Sequence, residues 1–168
     1  AAKVAVKIKL YMSFIDEHTI ERVAEKLNQQ PEQYEAKVLH WQQQQPELLA
    51  YLFMEATRFL SDDERDFLLY LSLILLESVT QIQPIPPVSS EQISLAEDHN
   101  WEQLEKVSAR GFRERLDVFF VDYAQEDLLA FVEDALIPDE DSTITKEGRE
   151  PLFIALKTVI DVVTAQEV

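Results

Sequence analysis

The residues best spaced for chemistry in this chain are the oxygen donors of DEDSTITKEGRE, residues 139–150. Asp139, Asp141, Thr143, Thr145, Glu147 and Glu150 occupy positions 1, 3, 5, 7, 9 and 12 of a twelve-residue calcium loop between two helical patterns. Two positions oppose that reading. The sharp turn at position 6 calls for glycine and has Ile144, and the inward apolar position 8 is Lys146. A charged helix-to-helix connection is therefore the first reading, with Asp139, Asp141, Thr143, Glu147 and Glu150 kept as weak metal candidates and no cofactor expected.

The three histidines, His18, His40 and His99, have no acid three residues before them, so the Glu-x-x-His pairs of carboxylate-bridged metal bundles are missing, as is HExxH. Glu97, Asp98, His99 and Glu102 form a local acidic cluster that reads as the exposed side of a helix. With no cysteine in the chain, disulfides, thiolate metal sites and cysteine nucleophiles are excluded; this fits a cytoplasmic protein. Gly111 and Gly148 are the only glycines, which removes the dinucleotide fingerprint, the phosphate loop and the nucleophile elbow.

Charge narrows the partners. The chain carries 32 acidic residues against 15 Lys and Arg, a formal net charge of −17. Between Lys37 and Lys106 only Arg58 and Arg65 are basic, against twelve acids. Nucleic acids and anionic membranes bind through Lys and Arg, so neither is an expected partner. The exception is Lys106, Arg110, Arg113 and Arg115, four positive charges in ten residues, read either as counter-charge for neighbouring acidic helices or as a patch for a protein partner.

The elements that must position these groups read as helices. In 61–81, Ser61 and Glu64 have the spacing of a capping box, and from Phe67 to Leu76 every residue except Ser72 is apolar or aromatic. A helix apolar on all sides is surrounded by others, and Glu77 closes the run too soon for a membrane span. Leu73 and Leu75 should both be nearly inaccessible.

Residues 3–15 fit either a strand alternation or a helical face; with no second strand to pair with, helix is preferred. Asp16 suits the N-cap of a helix to about Gln29. Pro31 and Pro46 suit first helical turns, the second helix carrying Leu48, Leu49, Leu52, Phe53, Ala56 and Phe59 on its apolar face, while Gln42 to Gln45 read as a solvated helix end. Pro84 and Pro87 lie in a stiff connection, 83–90. Ser89 with Gln92 opens a further helix, with Asn100 offering a second start, and Gly111 suits a left-handed cap at its end. Phe112, Leu116, Phe119, Phe120 and Tyr123, then Leu128, Leu129, Phe131, Val132 and Leu136, form a core stripe stopping at Pro138. Pro151 places the regular part of the last helix from about Arg149 or Glu150 to Ala165, despite Thr145 as a cap.

The expectation is an all-α bundle of six to eight helices around the buried helix near 62–81, a single domain over 1–168. Residues 47–52 and 127–132, ELLAYL and DLLAFV, hint at two similar halves joined by 83–90. No convergent set of catalytic residue types is visible. The functional expectation is a non-catalytic protein–protein interaction or adaptor domain, the alternative being an enzyme or small-ligand-binding protein with a site assembled between helices.

Overall fold

The computed structural model describes residues 13–137 and 139–165. Among them are eight α-helices and no strand: α1 (Glu17–Gln29), α2 (Tyr34–Gln44), α3 (Pro46–Ala50), α4 (Asp62–Thr80), α5 (Ser90–Glu105), α6 (Phe112–Phe120), α7 (Glu126–Ala135) and α8 (Lys146–Thr164). A 3₁₀ turn, Pro31–Gln33, precedes α2, and a π-helical turn, Tyr51–Glu55, continues α3. The helices pack into an all-α bundle, and none among the described residues is long and apolar enough to cross a membrane.

The all-round apolar character of α4 has its expected consequence: Leu73 and Leu75 are both at 0% exposure. The centre holds a second helix as well. α8 packs along α4, and its residues Leu152 to Ile160 are all buried, Phe153 meeting Phe119 of α6 at 5.3 Å between ring centroids. α1 covers the other side of α4, while α5 and α7 cover α8. Each fully buried leucine of this pair contributes about 1.5–3 kcal/mol by leaving water.

One carboxylate starts both central helices. Ser61 and Glu64 form the full capping box of α4, Ser61 N–H donating to Glu64 Oε1 at 3.0 Å and Glu64 N–H to Ser61 Oγ at 3.2 Å. The other oxygen of Glu64 accepts from Thr145 N–H at 3.1 Å and Thr145 Oγ at 3.0 Å, and Thr145 Oγ in turn accepts from Gly148 N–H at 2.9 Å to cap α8. Burial alone would push the Glu64 carboxyl up; the hydrogen bonds from Ser61 and Thr145 outweigh it and hold it below its ordinary value. Thr145 is thus the cap of α8 and Pro151 lies inside the helix, correcting the start expected near Arg149. Glu64 thus anchors the turn that precedes Pro151, where one backbone bond is forfeited.

Two buried glutamines close the connections. Gln45, expected in a solvated helix end, is 1% exposed: its amide donates to the carbonyls of Ile85 and Pro86 and accepts from Val88 N–H, holding the proline connection against the start of α3. Gln125, before α7, likewise donates to the Ser13 carbonyl and accepts from Ile15 N–H. These glutamines precede the two similar stretches, 47–52 and 127–132.

Three further expectations change. Ser13 to Ile15 are not helical, since Gln125 takes up their backbone groups, and the rest of 3–15 lies outside the described residues. α5 runs unbroken through Asn100, whose side chain is buried, and ends at Glu105. Gly111 has φ −72° and is the N-cap of α6, not a left-handed stop. Asp16 caps α1 as expected, accepting from Thr19 N–H at 2.9 Å, and the Thr19 backbone and hydroxyl hold its carboxyl below the ordinary value.

A methyl group on residue 148 would overlap the Glu64 carboxylate. Gly148→Ala should therefore destabilise by about 1–3 kcal/mol in urea unfolding, by displacing a hydrogen-bonded charged group. In a Glu64→Ala background the same change should be neutral or stabilising by up to about 1 kcal/mol, from helix propensity; equal cost in both backgrounds would refute the contact. Because the folded-state carboxyl lies below its ordinary 4.5, the stability Glu64 supplies is complete above that pH and lost as pH falls through the folded value. The difference in unfolding free energy between wild type and Glu64→Ala should be constant at neutral pH and shrink below pH 4.5.

Candidate interaction surface

Pro46 begins α3 with the missing N–H at no cost, but after Ala50 the chain widens: Ala56 N–H bonds to the carbonyl of Tyr51 at 3.0 Å, five residues back. Thr57 Oγ then donates to the Phe53 and Met54 carbonyls, and Leu60 N–H returns to Thr57, closing the turn before the Ser61 cap. The wider turn redistributes the apolar face. Leu48, Leu49, Tyr51, Leu52 and Leu60 are buried, whereas Phe53, Met54 and Phe59 are 45%, 73% and 85% exposed. Phe53 and Phe59 had been expected on the packed face; an extra residue in the turn rotates them off it.

Two open grooves flank this turn. One, of about 450 Å³, lies between Phe59, Arg58 and Glu55 on one side and Glu97 and Trp101 of α5 on the other, floored by Pro151, Ile154 and Ala155 of α8. The other, of about 520 Å³, runs between Met54, Ala50 and Glu47 and the start of α5, where Glu91, Ile93 and Leu95 line it; Leu95 is 65% exposed. Tyr51 and the exposed Glu55 line both grooves, which adjoin there. Tyr51 is 5% exposed, and burial followed by the nearby Glu97 carboxylate pushes its hydroxyl up.

Where α5 meets α8 lies a buried polar cluster. Asn100, fully buried, donates to Thr158 Oγ at 3.2 Å and Asp161 Oδ2 at 3.0 Å and accepts from Lys157 Nζ at 3.0 Å. Lys157 Nζ also donates to both oxygens of Asp161, at 3.0 and 2.8 Å, and sits 4.6 Å from the Tyr123 ring centroid. Tyr123 donates to Asp161 at 2.6 Å; burial and then the Asp161 charge push its hydroxyl up. The three ammonium donors and both amide donors have partners inside the cluster, so its polar capacity is spent on joining α5, α8 and the connection after α6.

The four basic residues expected as a patch are not gathered into one free face. Arg113 pairs with Glu133 and Asp134, each at 3.1 Å. Arg115 grips Glu150 at 2.9 and 3.2 Å and donates to the carbonyls of Val107 and Ala109, tying the α5–α6 connection to α8. Lys106 and Arg110 are exposed and make no ion pair among the described residues.

The metal candidates are dispersed in role. Asp139, Asp141 and Thr143 are exposed on the connection into α8, Glu147 is exposed in its first turn, and Glu150 is held by Arg115. Among the described residues no group of three or more His, Asp and Glu is arranged to hold a metal ion.

The residues this surface rests on, Met54, Phe59 and Leu95, were missed as surface groups. A signal was present: 48–60 holds Leu48, Leu49, Tyr51, Leu52, Phe53, Met54, Phe59 and Leu60, more apolar bulk than one helical stripe can bury. Comparison with protein-family models, with curated proteins and with solved structures gives no significant match.

The cluster and the surface should respond differently to mutation. Asn100→Ala leaves Lys157, Asp161 and Thr158 short of partners and should cost about 1–3 kcal/mol in urea unfolding. Phe59→Ser, at an exposed position, should stay within about 0.5 kcal/mol of wild type.

Proposed function

We propose that this chain is a non-catalytic interaction module that captures a protein partner on the face formed by the π-helical turn, residues 56–59 and the start of α5. The observation that carries this reading is the surplus of apolar surface. Of the nine large apolar side chains exposed among the described residues, Phe59 lines one of two adjoining grooves and Met54 and Leu95 line the other. Scattered exposed apolar residues are ordinary, whereas a cluster over concave ground marks a surface that becomes covered. Covering Phe59 or Met54 would contribute about 1.5–3 kcal/mol each.

The face is rigidly backed, since the polar cluster locks α5 to α8 beneath it. The net charge of −17 argues against nucleic acid as the partner, and the lack of cysteine is compatible with a cytoplasmic setting. A second reading, a small-ligand site, is favoured by Tyr51 and Glu97, which both line the smaller groove, whose volume lies in the range of ligand pockets.

A photo-reactive amino acid placed at position 59 tests the first reading, with the same group at the exposed Glu25 of α1 as control. Illumination in the native cell should give a discrete protein adduct from position 59 and none from position 25. Equal labelling at both positions, or none at either, would sink the interaction reading.

A further inference from the structure

The charge around the two grooves identifies the chemistry of the occupant. Their ionisable rim consists of Glu47, Glu55, Glu91 and Glu97 against Arg58 alone, four carboxylates to one guanidinium, around apolar ground. A partner that covered Phe59, Met54 and Leu95 with a neutral or acidic surface would bring those carboxylates out of water without compensation, an unfavourable juxtaposition. A basic partner turns the same rim into attraction and gains in encounter rate from the overall −17.

The form of the occupant follows from the shape. With no strand among the described residues there is no sheet edge to extend, so affinity must come from side chains. The grooves lie side by side and adjoin at Tyr51 and Glu55, which suits one element whose apolar anchors enter both. An amphipathic helix presents such anchors at i, i+3, i+4 and i+7, with Lys or Arg on its flanks.

We infer that the face around Tyr51 and Glu55 binds a basic amphipathic helix of a partner protein, its apolar anchors entering the two grooves and its flanking Lys or Arg meeting Glu47, Glu55, Glu91 and Glu97. The inference rests on the interaction reading above and specifies the partner class for the same face.

The test is fluorescence anisotropy with the full chain and three synthetic labelled peptides, each of roughly 18 residues or five helical turns. One carries Leu at i, i+3, i+4 and i+7 with Lys elsewhere; the second has the same composition scrambled so that no apolar face forms; the third replaces every Lys by Glu. The first should bind at least about tenfold more tightly than the other two, the discrimination expected when anchors and charge both count. Phe59→Ser and Met54→Ser leave the net charge untouched and should each weaken the first peptide by about tenfold, the size of an interface hot spot. Circular dichroism checks that both variants remain folded.

Equal binding of the scrambled peptide, or unchanged binding by both serine variants, would show only general attraction to an acidic protein and overturn the inference. Sedimentation of the chain alone distinguishes another occupant: a dimer dispersed by Phe59→Ser would assign the face to a second copy and likewise overturn it. If position 59 labels a protein in cells while the basic peptide does not bind, the partner class is wrong and the interaction face stands. If neither is observed, both readings fall.

Discussion

The carboxylate of Glu64 is the constraint on which the arrangement of the two longest helices depends. It completes the capping box of α4 and holds the backbone and hydroxyl of Thr145, which caps α8, so the first turns of both central helices share one anion. Helix N-termini carry unsatisfied N–H groups and partial positive charge, and a carboxylate between two of them answers both. Its position requires glycine at 148, because any side chain there would occupy the same space. With the helix starts fixed, Leu73 and Leu75 of α4 and Leu156 and Ile160 of α8 enter one core, and the remaining helices pack around it.

The outer layer is less economical. Between the short α3 and the Ser61 cap the chain fits a π-helical turn and a further bend, and three large side chains are left outside. The same turn brings Tyr51 to the groove lined by Glu97 of α5 and Ile154 of α8, the two helices that the polar cluster joins. A rigid base under an apolar, acid-rimmed surface loses little conformational entropy on binding, because its groups are already in place.

Features written in a few consecutive residues were legible in the sequence. The caps at Asp16, Ser61 and Ser89 depend on residues three positions away, and the burial of α4 follows from its own apolar run. Features that depend on distant partners were not. Thr145 looked incompatible with Pro151 because Glu64, 81 residues earlier, was out of view. Gln45 looked solvated because its partners lie 40 to 43 residues onward. The exposure of Phe59 turns on one extra residue per turn between Tyr51 and Ala56, a backbone choice that side-chain periodicity does not encode. The four basic residues were found, but their separation into paired Arg113 and Arg115 and exposed Lys106 and Arg110 is a property of the packed chain.

The glutamine bonds also bear on the order in which the molecule is assembled. Gln45 meets backbone groups 40 to 43 residues later, whereas Gln125 meets Ser13 and Ile15 across 110 to 112 residues. Closing the longer span costs more chain entropy, and during synthesis it has to wait until Gln125 has left the ribosome. The segment leading into α1, made before Gln125, is thus held later than the proline connection is, and its place against α7 depends on a side chain more than a hundred residues onward.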